Sequence, residues 1–167
     1  MKQVVQKMKN GSTDVIEVPA PGLQPGCILV RTAASLVSAG TERNLVEFAE
    51  KNLVGKARSR PDLVKQVVDK ARREGILTTL ESALNRLDQP LALGYSSAGV
   101  VEAVSGDVKS FKRGDRVVCA GGGHAVHAEF AVIPVNLASI LPENVDFESG
   151  AFATLGAIAL NGIRLAN

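Results

Sequence analysis

Tryptophan is absent from the 167 residues, tyrosine occurs once, and aromatic residues make up only 4%. Platforms that stack single-stranded nucleic acid need several aromatic faces, so that class of binder is excluded. Charge of one sign is equally scarce: nineteen Lys plus Arg against seventeen Asp plus Glu leave +2, too little for a nucleic-acid footprint. No apolar run reaches the length that spans a bilayer, and Met1-Lys2-Gln3-Val4-Val5 lacks the apolar core of a signal peptide. Cysteine is limited to Cys27 and Cys119, each inside an apolar run, where a free thiol acts as a small hydrophobe rather than a disulfide partner. The expectation is a cytoplasmic protein with no membrane and no nucleic-acid partner.

A hydrophobic fraction of 46% over this length suffices for one buried core. Sixteen glycines and seven prolines follow no period, which excludes collagen-like and low-complexity chains. The first forty residues read as strands parted by turns: Lys2 to Met8, the hairpin signal Asn10-Gly11, Asp14 to Val18, two Pro-Gly turns, then Cys27 to Leu36. From Thr41 the period becomes helical, with Leu45, Phe48, Ala49 and Leu53 on one face and Ser38 or Thr41 available as N-cap. Pro61 suits a first helical position, followed by the stripe Leu63, Val64, Val67, Val68 and Ala71 up to Gly75. A further stripe, Ile76, Leu80, Ala83, Leu84 and Leu87, ends before Pro90. Strand character returns in Ala98 to Val104, Arg116 to Ala120, Ala128 to Ile133 and Ser139 to Leu141. The chain closes with an Ala-rich helix over Phe147 to Leu165, apolar on every side. Such a helix needs partners all round, which implies polypeptide beyond Asn167. The class is α+β, mainly β: a partly open barrel or sandwich with an inserted helical block over 43–90 and a C-terminal helix over 147–167.

Three segments in order, Pro25 to Arg31, Pro90-Leu91-Ala92-Leu93-Gly94-Tyr95-Ser96-Ser97-Ala98-Gly99-Val100-Val101, and Phe111 to Val118, together with Ala128-Glu129-Phe130, carry a resemblance. They resemble the N-terminal, GroES-like catalytic domain of the medium-chain dehydrogenases and reductases, the family of zinc alcohol dehydrogenases and quinone reductases. Their physical logic agrees with it. Gly94 and Gly99 bracket a turn into a strand where a side chain would crowd a neighbouring segment, and Gly114-Asp115 is a tight turn whose Asp can bond backbone.

The resemblance implies a reaction and a site. Zinc members hold a catalytic metal with three ligands, and the alignment puts Ser38, Tyr95 and Thr154 at those positions; Ser96 stands where a Glu usually follows the second ligand. Three hydroxyls do not replace thiolate and imidazole as zinc donors, so no zinc is expected. The family's four-cysteine structural zinc lobe is missing as well. Tyr95 is then the implied proton donor or oxyanion partner, Ser38 and Thr154 orient substrate oxygens, and Thr41 and His124 contribute from outside. His124 and His127 have a His-x-x-His spacing without a third regular ligand, which favours loop histidines over metal ligands; His124, after three glycines, is the one expected to face a cleft.

The phosphate-cradling motif of a dinucleotide site does not occur; Gly121-Gly122-Gly123 has the wrong spacing and precedes a strand. The implied assembly is a substrate domain whose nucleotide-binding domain follows the last helix, using NAD(P) and a small-molecule substrate, with homo-oligomers compatible. Ser38 and Tyr95 lie 57 positions apart, longer than the family's usual gap, and the insert carries ten basic against seven acidic residues. That insert resembles those of zinc-free members fused to a second dehydrogenase-type domain and linked to sugar or polysaccharide metabolism, which would make the substrate a sugar derivative; the plainer reading, which the sequence favours, is a solvated helical lobe that caps the cleft or mediates association. A non-catalytic scaffold built on the same barrel is the competing function, because fold does not fix function.

Overall fold

Alternation of apolar and polar residues dictates the core before any tertiary contact is considered. In the computed structural model, which describes residues 1–8, 10–52, 55, 58, 59, 61–75, 85 and 89–166, the strands are β1 (Lys2–Lys7), β2 (Thr13–Glu17), β3 (Cys27–Ser35), β4 (Pro90–Ala92), β5 (Ser96–Val104), β6 (Arg116–Ala120), β7 (Phe130–Pro134) and β8 (Ala138–Ile140). The helices are α1 (Thr41–Glu50), α2 (Pro61–Glu74), α3 (Phe147–Gly150) and α4 (Ala153–Ala166), with one 3-10 turn at Val135–Leu137. Five strands form an antiparallel sheet in the order β7-β3-β5-β6-β8, and three more follow the order β2-β1-β4. Alternate residues of three strands point inward, Ile28 and Val30 on β3, Val117 and Cys119 on β6, Ala131 and Ile133 on β7, with Val101 and Ala125 completing the cluster.

The chain divides into two compact units. The first comprises Met1–Val4, Val15–Ser38 and Ala92–Asn167, and contains the five-stranded sheet with α3 and α4. The second comprises Val5–Asp14 and Ala39–Leu91 and takes in α1 and α2.

Several expected boundaries shift for local reasons. Among the described residues between β1 and β2, Gly11 takes a left-handed conformation, at φ 77°, and Asn10 does not, so the turn is not the two-residue type its Asn-Gly pair suggests. The N-cap of α1 is Gly40 rather than Ser38 or Thr41, so no side-chain cap bond comes from that position. Pro61 opens α2 as expected, and Gly75, at φ 96°, closes it by donating its N–H to the Ala71 carbonyl. Val64, Val67 and Val68 are exposed. The Leu45 and Leu63 side chains, Leu53 and the stripe from Ile76 to Leu87 lie outside the described residues. The single helix expected after Phe147 is two, broken at Ala151–Phe152, and its start is capped: Asp146 Oδ1 accepts the Ser149 N–H at 2.6 Å. That bond holds the Asp146 carboxyl below the usual range. Arg116 steadies the approach to α3, donating to the carbonyls of Pro142 and Glu143 and lying over the Phe147 ring at 4.5 Å. Both cysteines are free and buried. No helix among the described residues is long and apolar enough to cross a membrane.

Candidate functional site

The segment Leu93-Gly94-Tyr95-Ser96 turns the chain into β5, and glycine makes the turn possible. Gly94 has φ 102°, and a Cβ there would sit 2.7 Å from the His127 backbone nitrogen. His127 in turn donates its N–H to the Leu93 carbonyl at 2.8 Å. Further along, Gly99 lies so close to the Arg31 carbonyl of β3 that any side chain would overlap it. These two contacts fix where Tyr95 stands, half-buried at the entrance to the central strand.

The neighbouring strands end beside it. The Gly121 N–H donates to the Tyr95 carbonyl at 2.9 Å, which joins the end of β6 to the start of β5. On the other side the Leu36 N–H donates to the Ser96 carbonyl at 3.0 Å, so Ser38, two residues later and half-buried, leaves β3 at the same end of the sheet. The Ser96 hydroxyl donates to the Ala151 carbonyl at 2.6 Å, and Thr154 follows within the first turn of α4. The segments bearing Ser38, Tyr95 and Thr154 thus meet around one serine. Thr154 Oγ1 is itself covered and has no hydrogen-bond partner, an orphan polar atom.

The remaining candidates separate. His124 is exposed on the turn after β6, its ring beside Gly121 and hence near the Tyr95 backbone. Thr41 opens α1 in the other compact unit and is exposed. His127 is buried, with Nδ1 2.9 Å from the Ser35 hydroxyl, on the wall of a shallow groove of about 310 Å³ that also takes in Lys2, Thr32 and Glu129. None of Ser38, Tyr95, His124 and Thr154 lines that groove. Among the described residues no three His, Cys, Asp or Glu side chains gather closely enough to hold a metal ion. Cys119, paired in register with Ser97, has its thiol pushed up to about 12 by burial, with the Ser97 hydroxyl pulling weakly the other way.

Residues 68–155, more than half of the chain, match the model of the alcohol dehydrogenase GroES-like domain. The chain belongs to this family. Over 62 residues this GroES-like domain is 42% identical to a quinone oxidoreductase of Rattus norvegicus, covering 37% of the chain and 19% of that protein. Over 74 residues it is 39% identical to a quinone oxidoreductase of Pseudomonas aeruginosa, covering 44% and 21%. It spans about a fifth of the length of these curated relatives. Among solved structures, galactitol-1-phosphate dehydrogenase from Escherichia coli superposes with a TM-score of 0.61 at 18% identity, covering 91% of this chain and 41% of that one. Quinone oxidoreductase of Escherichia coli complexed with NADPH gives the same TM-score of 0.61 at 20% identity, covering 90% and 36%. At such identities the likeness is one of fold, and the fold is the GroES-like one that the sequence motifs imply.

The sequence reading places Ser96 only where a Glu usually follows the second ligand and His127 only as a loop histidine; it gives neither the bond of Ser96 to Ala151 nor the Ser35–His127 pair. A Ser-Ser pair inside a glycine-rich turn carries no periodicity, and the partner of Ser96 is a backbone carbonyl 55 residues away.

Proposed function

We propose that this chain is the substrate domain of a zinc-independent, NAD(P)-dependent oxidoreductase that acts on a carbonyl, an alcohol or an activated double bond, with a quinone as the first substrate to try and a sugar derivative as the next. The nucleotide-binding domain is supplied outside this chain, and 43–90 is an insertion into the domain. The observation that carries the reading is the convergence of the segments bearing Ser38, Tyr95 and Thr154 at the start of β5, hydroxyl-bearing residues aligned with the family's ligand positions. A set of three hydroxyls does not fit a zinc ion, so no step here runs through one. Two buried free cysteines agree with a reducing, cytoplasmic setting.

The nicotinamide, when bound, supplies or accepts the hydride. In the direction of quinone reduction, a hydride reaching one end of the conjugated system leaves negative charge on a carbonyl oxygen. The Tyr95 hydroxyl donates its proton to that oxygen and is reprotonated from solvent, while Ser38 holds the oxygen in line. One hydride and one proton convert each quinone to a hydroquinone, with the nicotinamide oxidised. Thr154 contributes its hydroxyl only once its cover moves aside, and His124 acts from the periphery; Thr41 belongs to the second compact unit and is given no part in this step.

Full-length enzyme purified without a metal-binding tag tests this in one assay, quinone-dependent NADPH oxidation before and after chelator dialysis. Activity should survive dialysis, and Tyr95→Phe should lower kcat by roughly a hundredfold or more. Activity that leaves with about one zinc per chain overturns the metal-free chemistry. An unchanged kcat in the folded variant returns Tyr95 to a packing role, and no nicotinamide-dependent turnover at all favours the scaffold.

A further inference from the structure

Ser96 is buried completely, yet it carries a hydroxyl, and a buried hydroxyl is stable only with a partner. Its partner is the carbonyl of Ala151, itself buried, at the break between α3 and α4. The backbone carbonyl of Ser96 accepts from Leu36, and across the sheet Ser96 faces Ala120, the last residue of β6. One residue therefore touches the ends of β3 and β6 and the origin of α4. Those are the three places from which Ser38, His124 and Thr154 depart.

We propose that Ser96 is a positioning residue that ties the origin of α4 to the start of β5 through its hydroxyl and so holds Ser38, Tyr95 and Thr154 in register. An ionised carboxylate at this position would have no proton to give a carbonyl oxygen. Serine has one, and its short side chain leaves 2.6 Å between Oγ and the Ala151 oxygen. The inference rests on the reading of these residues as the site given above.

The test combines hydrogen exchange with kinetics in full-length enzyme, using Ser96→Ala, which deletes the donor, and Ser96→Thr, which keeps it. In Ser96→Ala, amides from Ala151 to Leu155 should exchange about tenfold faster while those of β5 beyond Val100 stay protected, the scale of one lost buried hydrogen bond. For quinone reduction kcat should fall by about tenfold with KM for NADPH unchanged, and Ser96→Thr should restore both. Where threonine does not fit, Ser96→Cys, with its weaker donor, should fall between alanine and wild type. Unchanged exchange at Ala151–Leu155 overturns the proposal. So does uniform loosening with kcat falling only in proportion to folded protein, and so does local loosening without any change in kcat. Absence of turnover in the unsubstituted protein removes the functional reading alone, because the exchange pattern still decides whether Ser96 holds the helix break.

Discussion

Cys119 shows how one side chain's surroundings settle its chemistry. Nucleophilic thiols are exposed and sit in electropositive places; this one lies in the core beside Ile28, Val117 and Ala131, and burial pushes its titration up to about 12. It should resist alkylation at pH 8 in the folded chain and react once denaturant exposes it. The same shift makes stability depend on pH. Unfolding returns the thiol to the ordinary value of 9.0, so below about pH 9 folded and unfolded chains both keep the proton and this group leaves stability level. From there to about pH 12 only the unfolded chain loses it, and stability should decline by about 1.4 kcal/mol per pH unit from this residue. Denaturant titrations of wild type and Cys119→Ala at pH 8, 10 and 11 isolate the effect. Parallel curves for the two proteins would show that Cys119 contributes none of the slope.

At the scale of elements, the join between β3 and β5 is the tightest constraint in the sheet. Its register slips between Leu29 and Val30 and again between Thr32 and Ala34, and Gly99 faces the second slip with the Arg31 carbonyl pressed against it. Gly99→Ala should cost about 3 kcal/mol, whereas Gly106→Ala, with nothing near the added methyl, should be close to neutral; thermal unfolding of both variants checks this. Equal stabilities would mean that β3 yields where the packing says it cannot. Glycines of this kind were legible in the sequence because they stand where a turn feeds a strand, and most strands were legible because their apolar residues alternate. What eluded the sequence is of another kind. Ser96 and Ser97 begin β5 although serine pairs read as turn, and the break at Ala151–Phe152 is hidden in an Ala-rich run. The motifs locate Tyr95, but the bonds that gather its neighbours run largely through backbone groups, which every residue carries and no pattern singles out. Ser38 and Thr41 illustrate the converse: good capping residues were present, and Gly40 took the position instead.

At the scale of the whole molecule, α4 is the element whose composition and surroundings disagree. Within the unit that contains it, none of its residues is buried, and the apolar side chains from Phe152 onward stand open to solvent: Ile158 and Ile163 are each 62% exposed and Leu165 79%. Covering a large apolar side chain fully is worth about 1.5–3 kcal/mol, so Phe152 at the helix break and the five aliphatic residues Leu155, Ile158, Leu160, Ile163 and Leu165 represent a substantial unrealised gain. They lie on more than one side of the helix, which a single neighbouring surface does not satisfy. Exposed apolar surface of this extent marks an interface. In the proposed enzyme the nucleotide-binding domain takes that role, and in the isolated 167-residue chain a second copy is the available substitute. The isolated chain should therefore elute as a dimer or larger species at tens of micromolar and bind a hydrophobic dye, and the pair Ile158→Lys and Ile163→Lys should shift it towards monomer without unfolding the five-stranded sheet. Light scattering coupled to size exclusion, with circular dichroism on the same fractions, makes the measurement. A strictly monomeric wild-type chain that binds no dye and keeps α4 helical would mean that the helix satisfies its apolar residues within its own domain, and the case for an external partner at this face would fall.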